Sequence, residues 1–185
     1  MLLHLGGNRV LTYLDRLPDI GLDAVKVTGQ GREYPADARL CACVVGRFCI
    51  HNFRISEAGV AGFERVDVRQ GYAKCCTCVV DAHSVITSDE GIARAAARHG
   101  LDVLRIRPGY VDLPGFDTGF IGGAAFKSAP DVLAFTGRLD HHPDWPEIEH
   151  FLRGRGVEPL FLTDMPAFDI GSAVPLTEAA GKSCP

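Results

Sequence analysis

The chain has 185 residues, 46% of them hydrophobic, with 19 basic and 23 acidic side chains and a formal net charge of −4. That length buries one sizeable core, so a single domain over residues 1–185 is expected. No basic excess points to nucleic acid, no apolar run is long enough for a membrane span, and Met1 to Arg9 lack the regions of a secretion signal, so a cytoplasmic protein is expected.

In chain order, residues 1–34 read as a partial leading unit made of Leu14 to Leu22 and Ala24-Val25-Lys26-Val27, closed by the linker-like Gly29-Gln30-Gly31-Arg32. A repeat-containing core is expected from 35 to 178. It opens with strand pieces at Leu40 to Val45 and Phe48-Cys49-Ile50, returns at Val66-Asp67-Val68, and has only a loop or one turn around Ser56 to Ala61 where a helix belongs.

The next unit is fuller. Cys78-Val79-Val80 and Ser84 to Thr87 are β-branched runs around a turn at Asp81-Ala82-His83, which predicts a hairpin. Ser88-Asp89-Glu90 offers an N-cap, Ile92 to Ala97 is Ala-rich helix, Arg98-His99-Gly100 supplies a basic last turn and a glycine stop, and Leu101 to Ile106 is the returning strand. The last unit repeats the order: Gly122 to Phe126, a turn at Lys127 to Asp131, Val132 to Thr136, a helix carrying the stripe Ile148, Phe151 and Leu152, and a strand at Val157 to Leu162. Asp144 with Glu147 predicts a capping box for that helix. The two units close on Phe116-Asp117-Thr118-Gly119 and Phe168-Asp169-Ile170-Gly171, 52 residues apart. Residues 179–185 read as a tail.

This ββαβ repeat is an α/β arrangement. Together with Gln70 to Val80, Pro114 to Gly123 and Ala167 to Ser172, it resembles the pentein, or guanidino-group-modifying, superfamily, in an uncharacterised bacterial branch. The resemblance implies a pentein-like β/α propeller of units about a pseudo-symmetry axis. It implies a cysteine-dependent hydrolase or amidinotransferase acting on the C–N bond of a small guanidino or amidino compound, hence a small cationic molecule as partner.

In such chemistry a thiolate attacks an amidine carbon, so its pKa must be lowered by nearby positive charge. Gly71-Tyr72-Ala73-Lys74-Cys75 resembles the glycine-led nucleophile loop, which makes Cys75 the expected nucleophile with Lys74 as adjacent cation. The same loop also resembles the histidine-bearing segment of those enzymes, with Tyr72 where the histidine would stand; a non-catalytic ligand-binding or interaction module is therefore the alternative. Cys184 has the family's near-C-terminal position and reads as part of the tail.

His141 and His142, between a strand and a helix, are candidates for the general acid or base, and with Asp140 and Asp144 for a metal; the other reading is a solvated pair. Asp117 and Asp169, at equivalent places beside glycine, are candidates to hold the cation, or else close Asx turns on their own backbone. Cys41, Cys43, Cys76 and Cys78 read as buried core positions of alternating strands, the alternative being a zinc-stabilised domain in which Cys41, Cys43, Cys75 and Cys78 form a four-thiolate site. Gly122-Gly123 lacks the context of a dinucleotide loop and reads as close backbone packing, so no cofactor is expected. The incomplete first unit leaves a homo-oligomer open.

Overall fold

The computed structural model describes residues 2–56 and 60–176. One pattern recurs four times: an antiparallel strand pair, then a third strand laid parallel beside the second. The units are β1 (Leu2–His4), β2 (Arg9–Thr12) and β3 (Asp23–Lys26); β4 (Cys43–Val45), β5 (Phe48–His51) and β6 (Glu64–Asp67); β7 (Thr77–Val79), β8 (Ser84–Thr87) and β9 (Asp102–Arg105); and β10 (Ala125–Ala129), β11 (Val132–Phe135) and β12 (Glu158–Phe161). Three helices accompany them. A single turn, α1 (Ala73–Cys76), leads into β7; α2 (Glu90–Arg98) joins β8 to β9; α3 (Trp145–Arg153) joins β11 to β12.

The central strands explain the stacking of units. All four residues of β5 and of β8 are buried, which requires cover on both faces of the sheet. Side chains alternate across a strand, so Cys43 and Val45 enter the core shared with the third unit while Val44 packs toward the first. Three buried clusters result, one between each consecutive pair of units: around Leu3, Leu11 and Cys49; around Phe48, Val85 and Ile92; and around Ile86, Phe135 and Ile148. The mixed α/β repeat is thus present, and no buried cluster among the described residues joins the fourth unit back to the first.

The helices form where the sequence predicts. Asp89 Oδ1 accepts the Ile92 N–H at 2.8 Å, α2 turns Ile92, Ala95 and Ala96 into the core, and Gly100 stops it at φ +82°. In α3, Ile148 and Leu152 are buried. The capping box expected of Asp144 is absent: its carboxylate makes no cap bond and instead takes the Arg107 backbone N–H at 2.6 Å and Arg107 Nε at 2.7 Å. A paired guanidinium is a stronger donor than a helix amide.

Two further expectations are corrected. The leading unit has all three strands: its hairpin turns at Gly6 (φ +92°) and Gly7 (φ +60°), and Leu14 to Leu22 is a connection without strand or helix. The strand expected from Cys78 begins at Thr77, directly after the α1 turn, and the one expected from Leu40 begins at Cys43. The turn proposed around Ser56 to Ala61, the tail and Cys184 lie partly or wholly outside the described residues. No helix among the described residues is long and apolar enough to cross a membrane.

Candidate functional site

The first strand of every unit contributes to the wall of one cavity of about 730 Å³: Leu2 to His4, Val44, Val79, and Ala125 to Lys127. The approach to β4 adds Cys41, the α1 turn adds Tyr72, Lys74 and Cys75, and the segment after β12 adds Ile170 to Pro175. A backbone bond from the Lys74 N–H to the Cys41 carbonyl, 3.0 Å, ties the start of the second unit to the turn that opens the third.

That tie brings two thiols together. Cys41 Sγ and Cys75 Sγ are 3.5 Å apart, and the Cys75 thiol also has the Gly171 carbonyl oxygen at 3.0 Å as an acceptor. Both acceptors hold the proton on Cys75, whose pKa is pushed up first by its hydrogen bond to Cys41 and then by burial and the Asp169 charge. Cys41 moves the other way, down to about 7, because the Cys75 thiol donates to it, with help from the backbone N–H groups of Cys75 and Lys74 and the Lys74 charge, against burial. The two thiols titrate as a coupled pair, in which Cys41 is shifted down and Cys75 up.

The remaining described cysteines are inert by the same reasoning. Cys43, Cys76 and Cys78 are buried with thiols pushed up to about 12 or beyond, and Cys49 to about 11, by desolvation above all. The buried-core reading thus fits Cys41, Cys43, Cys76 and Cys78, all buried, although Cys41 lies outside the strands and lines the cavity with the half-buried Cys75. Among the described residues no group of three or more His, Cys, Asp or Glu side chains is placed to hold a metal ion, which removes the four-thiolate zinc alternative.

Tyr72 and Lys74 are on the wall with Cys75, as their sequence neighbourhood predicts. The Tyr72 hydroxyl donates to Asp37 Oδ2 at 2.7 Å, and that bond pushes its pKa up to about 12. Lys74 Nζ donates to the Gly122 carbonyl at 3.3 Å, and Gly122 has no room for a Cβ because the Lys74 and Thr77 carbonyls lie against it. The close packing expected of Gly122-Gly123 is thereby accounted for.

Of the expected acid/base and cation ligands only Asp169 lies near the thiols, where its charge acts on Cys75, and none of the four lines the cavity. His141 is exposed, and His142, 3% exposed, holds two loops together: its Nδ1 accepts the Asp144 N–H at 3.0 Å, so its Nε2 donates to the Arg107 carbonyl at 3.1 Å. Neither lines the cavity. Asp117 and Asp169 are not equivalent. Asp117 is exposed, whereas Asp169 is 8% exposed, accepts the Phe120 N–H at 2.9 Å and the Gly171 N–H at 2.7 Å, and fills the space Gly123 leaves. The backbone explains the difference, because Phe168 pairs in parallel with Asp112 and its neighbour Asp169 is drawn into the unit junction.

Three wall residues escaped sequence reasoning. Cys41 was legible only as core or zinc ligand. His4, whose Nε2 is 2.9 Å from the Gly7 carbonyl oxygen, is the histidine that lines the cavity, and it carries no sequence motif. Ser172 has φ +120°, alone among the described non-glycine residues in that region, and its buried Oγ has no hydrogen-bond partner. Strain of this kind concentrates at functional sites.

No curated protein and no solved structure matches the chain. A family model does match, over residues 6–174, and the chain belongs to that family, a family of unknown function designated DUF6873.

Proposed function

We propose that the chain is a cysteine-dependent enzyme acting on a small guanidino or amidino compound, with units arranged in a pentein-like manner about the shared cavity. The observation that carries it is the Cys41/Cys75 pair facing a cavity of about 730 Å³ to which all four first strands contribute. That volume suits a small molecule.

In this reading Cys41 attacks the amidine carbon as a thiolate. The C–N bond to the leaving amine breaks, the neighbouring Cys75 thiol gives the amine its proton, and the water or amine that enters next returns a proton to Cys75. Water, or an acceptor amine, then displaces the sulfur to give a ureido product or a transferred amidino group. His4 is the histidine on the same cavity wall. The wall's ionisable side chains besides the thiols and Tyr72 are His4, Lys74 and Lys127, so the carboxylates expected to hold a cation are absent from it. Lys74 and Lys127 suit an anionic group elsewhere on the substrate.

The absence of Asp117, Asp169, His141 and His142 from the wall, and the engagement of Tyr72 with Asp37, favour a second reading, a non-catalytic binding module. One experiment separates them. A guanidinium-mimicking haloacetamidine should label Cys41, and a panel of guanidines should release ammonia or a ureido product in the native chain but not in Cys41→Ser. If neither labelling nor product appears while a panel member still binds, the enzyme reading is lost and the binding module stands.

A further inference from the structure

Hydrolysis uses one sulfur as a nucleophile, yet the cavity presents two, from different units and 34 residues apart in sequence. Their backbones are fixed at that point by the Lys74 N–H to Cys41 carbonyl bond, so the sulfurs meet without any loop having to close. We infer that Cys41 and Cys75 form a reversible dithiol–disulfide centre that reacts with small hydroperoxides entering the cavity.

Three observations carry this. The Sγ–Sγ distance of 3.5 Å needs to shrink by only about 1.5 Å to reach a disulfide bond length, a shift within the range of side-chain rotation in a pair whose backbones are already adjacent. Both sulfurs line the cavity, whereas Cys43, Cys49, Cys76 and Cys78 do not. The wall around the pair holds Lys74, a cation beside the sulfur that must ionise. The lowered Cys41 pKa agrees with the same assignment.

The chemistry balances in two steps. Cys41 thiolate attacks the distal peroxide oxygen; the O–O bond breaks, Cys41 becomes a sulfenic acid, and the alkoxide or hydroxide takes up a proton. The Cys75 sulfur then attacks the Cys41 sulfur, the S–O bond breaks, and water leaves with the Cys75 proton. Two thiols are oxidised, one hydroperoxide is reduced to an alcohol or water, and a dithiol reductant reverses the change. The inference does not rest on amidine chemistry. Its readout is covalent state, so its failure and the failure of the hydrolase reading are distinguishable.

The test uses the full chain. Reduced protein is given a slight excess of hydrogen peroxide, blocked with N-ethylmaleimide, and analysed by intact mass and peptide mapping. The expected product is lighter by two hydrogens, carries a Cys41–Cys75 cross-link and reverts with dithiothreitol. Cys75→Ala should instead stop at a Cys41 sulfenic acid that dimedone captures, and Cys49→Ala should still cross-link. The inference is overturned if the cross-link joins other cysteines, if Cys41 accumulates bound oxygen while Cys75 stays free, or if neither sulfur reacts before the buried cysteines. The native-chain map decides this even where a variant does not fold.

Discussion

The loop around His142 and the turn around Cys75 both present reactive side-chain types at the edge of a repeat unit, and they are built in opposite ways. At His142 each ring nitrogen is satisfied by backbone from a different segment, and Tyr110 packs on the ring at 4.8 Å between centroids. Burial lowers its pKa and keeps it neutral. At Cys75 the polar partners are another thiol and the Gly171 carbonyl, the pair opens on a cavity, and the neighbouring Ser172 hydroxyl is buried without a partner. A side chain whose hydrogen-bonding capacity is used up braces the fold; one that shares a proton beside empty space is poised for chemistry.

The largest effect that would break this contrast lies in the brace. His142→Ala leaves a part-buried N–H and a part-buried carbonyl unpaired and opens a cavity, so it should cost about 2 to 3 kcal/mol, read as a lower urea midpoint. The rate of Cys41 alkylation in the folded variant should stay unchanged. If reactivity falls while stability holds, His142 belongs to the site after all.

Acid should act on the same side of the comparison. His51, 2% exposed, lacks a partner for either ring nitrogen and has its pKa lowered to about 4 by desolvation. The unfolded chain takes up that proton more readily than the folded one, so stability is complete above about pH 6.5 and is lost as pH falls toward 4. The loss expected from His51 is about 3 kcal/mol, with His142 adding in the same direction. Unfolding midpoints at pH 7 and pH 5 check it, and His51→Phe should flatten the dependence.

At the thiols the expected changes are in reactivity. Cys75→Ala removes the donor that stabilises the Cys41 thiolate, so the Cys41 alkylation midpoint should rise by about one pH unit, equal to roughly 1.4 kcal/mol, while global stability changes by less than that. Smallest of all, His141→Ala should alter stability by no more than about 0.5 kcal/mol and leave alkylation untouched, because the side chain is exposed.

Much of the repeat was legible because its cues are local. The Asp89 cap, the Ile148 and Leu152 stripe, the Gly100 stop and the β-branched central strands each act within a few residues. In the first unit Ala24 to Val27 was read close to where β3 lies, but the β1–β2 hairpin was not, since it is announced only by Gly6-Gly7. The site was legible in part. Tyr72, Lys74 and Cys75 share one short turn, but the partner of Cys75 comes from another unit, and no local pattern reports that Cys41 stops short of β4 and turns its sulfur to the cavity. The Asp117 and Asp169 tetrapeptides make the same point: near-identical sequences diverge because only Phe168 is drawn into a bridge with Asp112.

The pH dependence of iodoacetamide labelling, followed cysteine by cysteine in the native chain, tests the central claim most directly. Cys41 should label first, with a midpoint near pH 7, ahead of Cys75 and with Cys43, Cys49, Cys76 and Cys78 protected until unfolding. Labelling of Cys75 before Cys41, or a Cys41 midpoint at the ordinary thiol value of about 8.5, would contradict it.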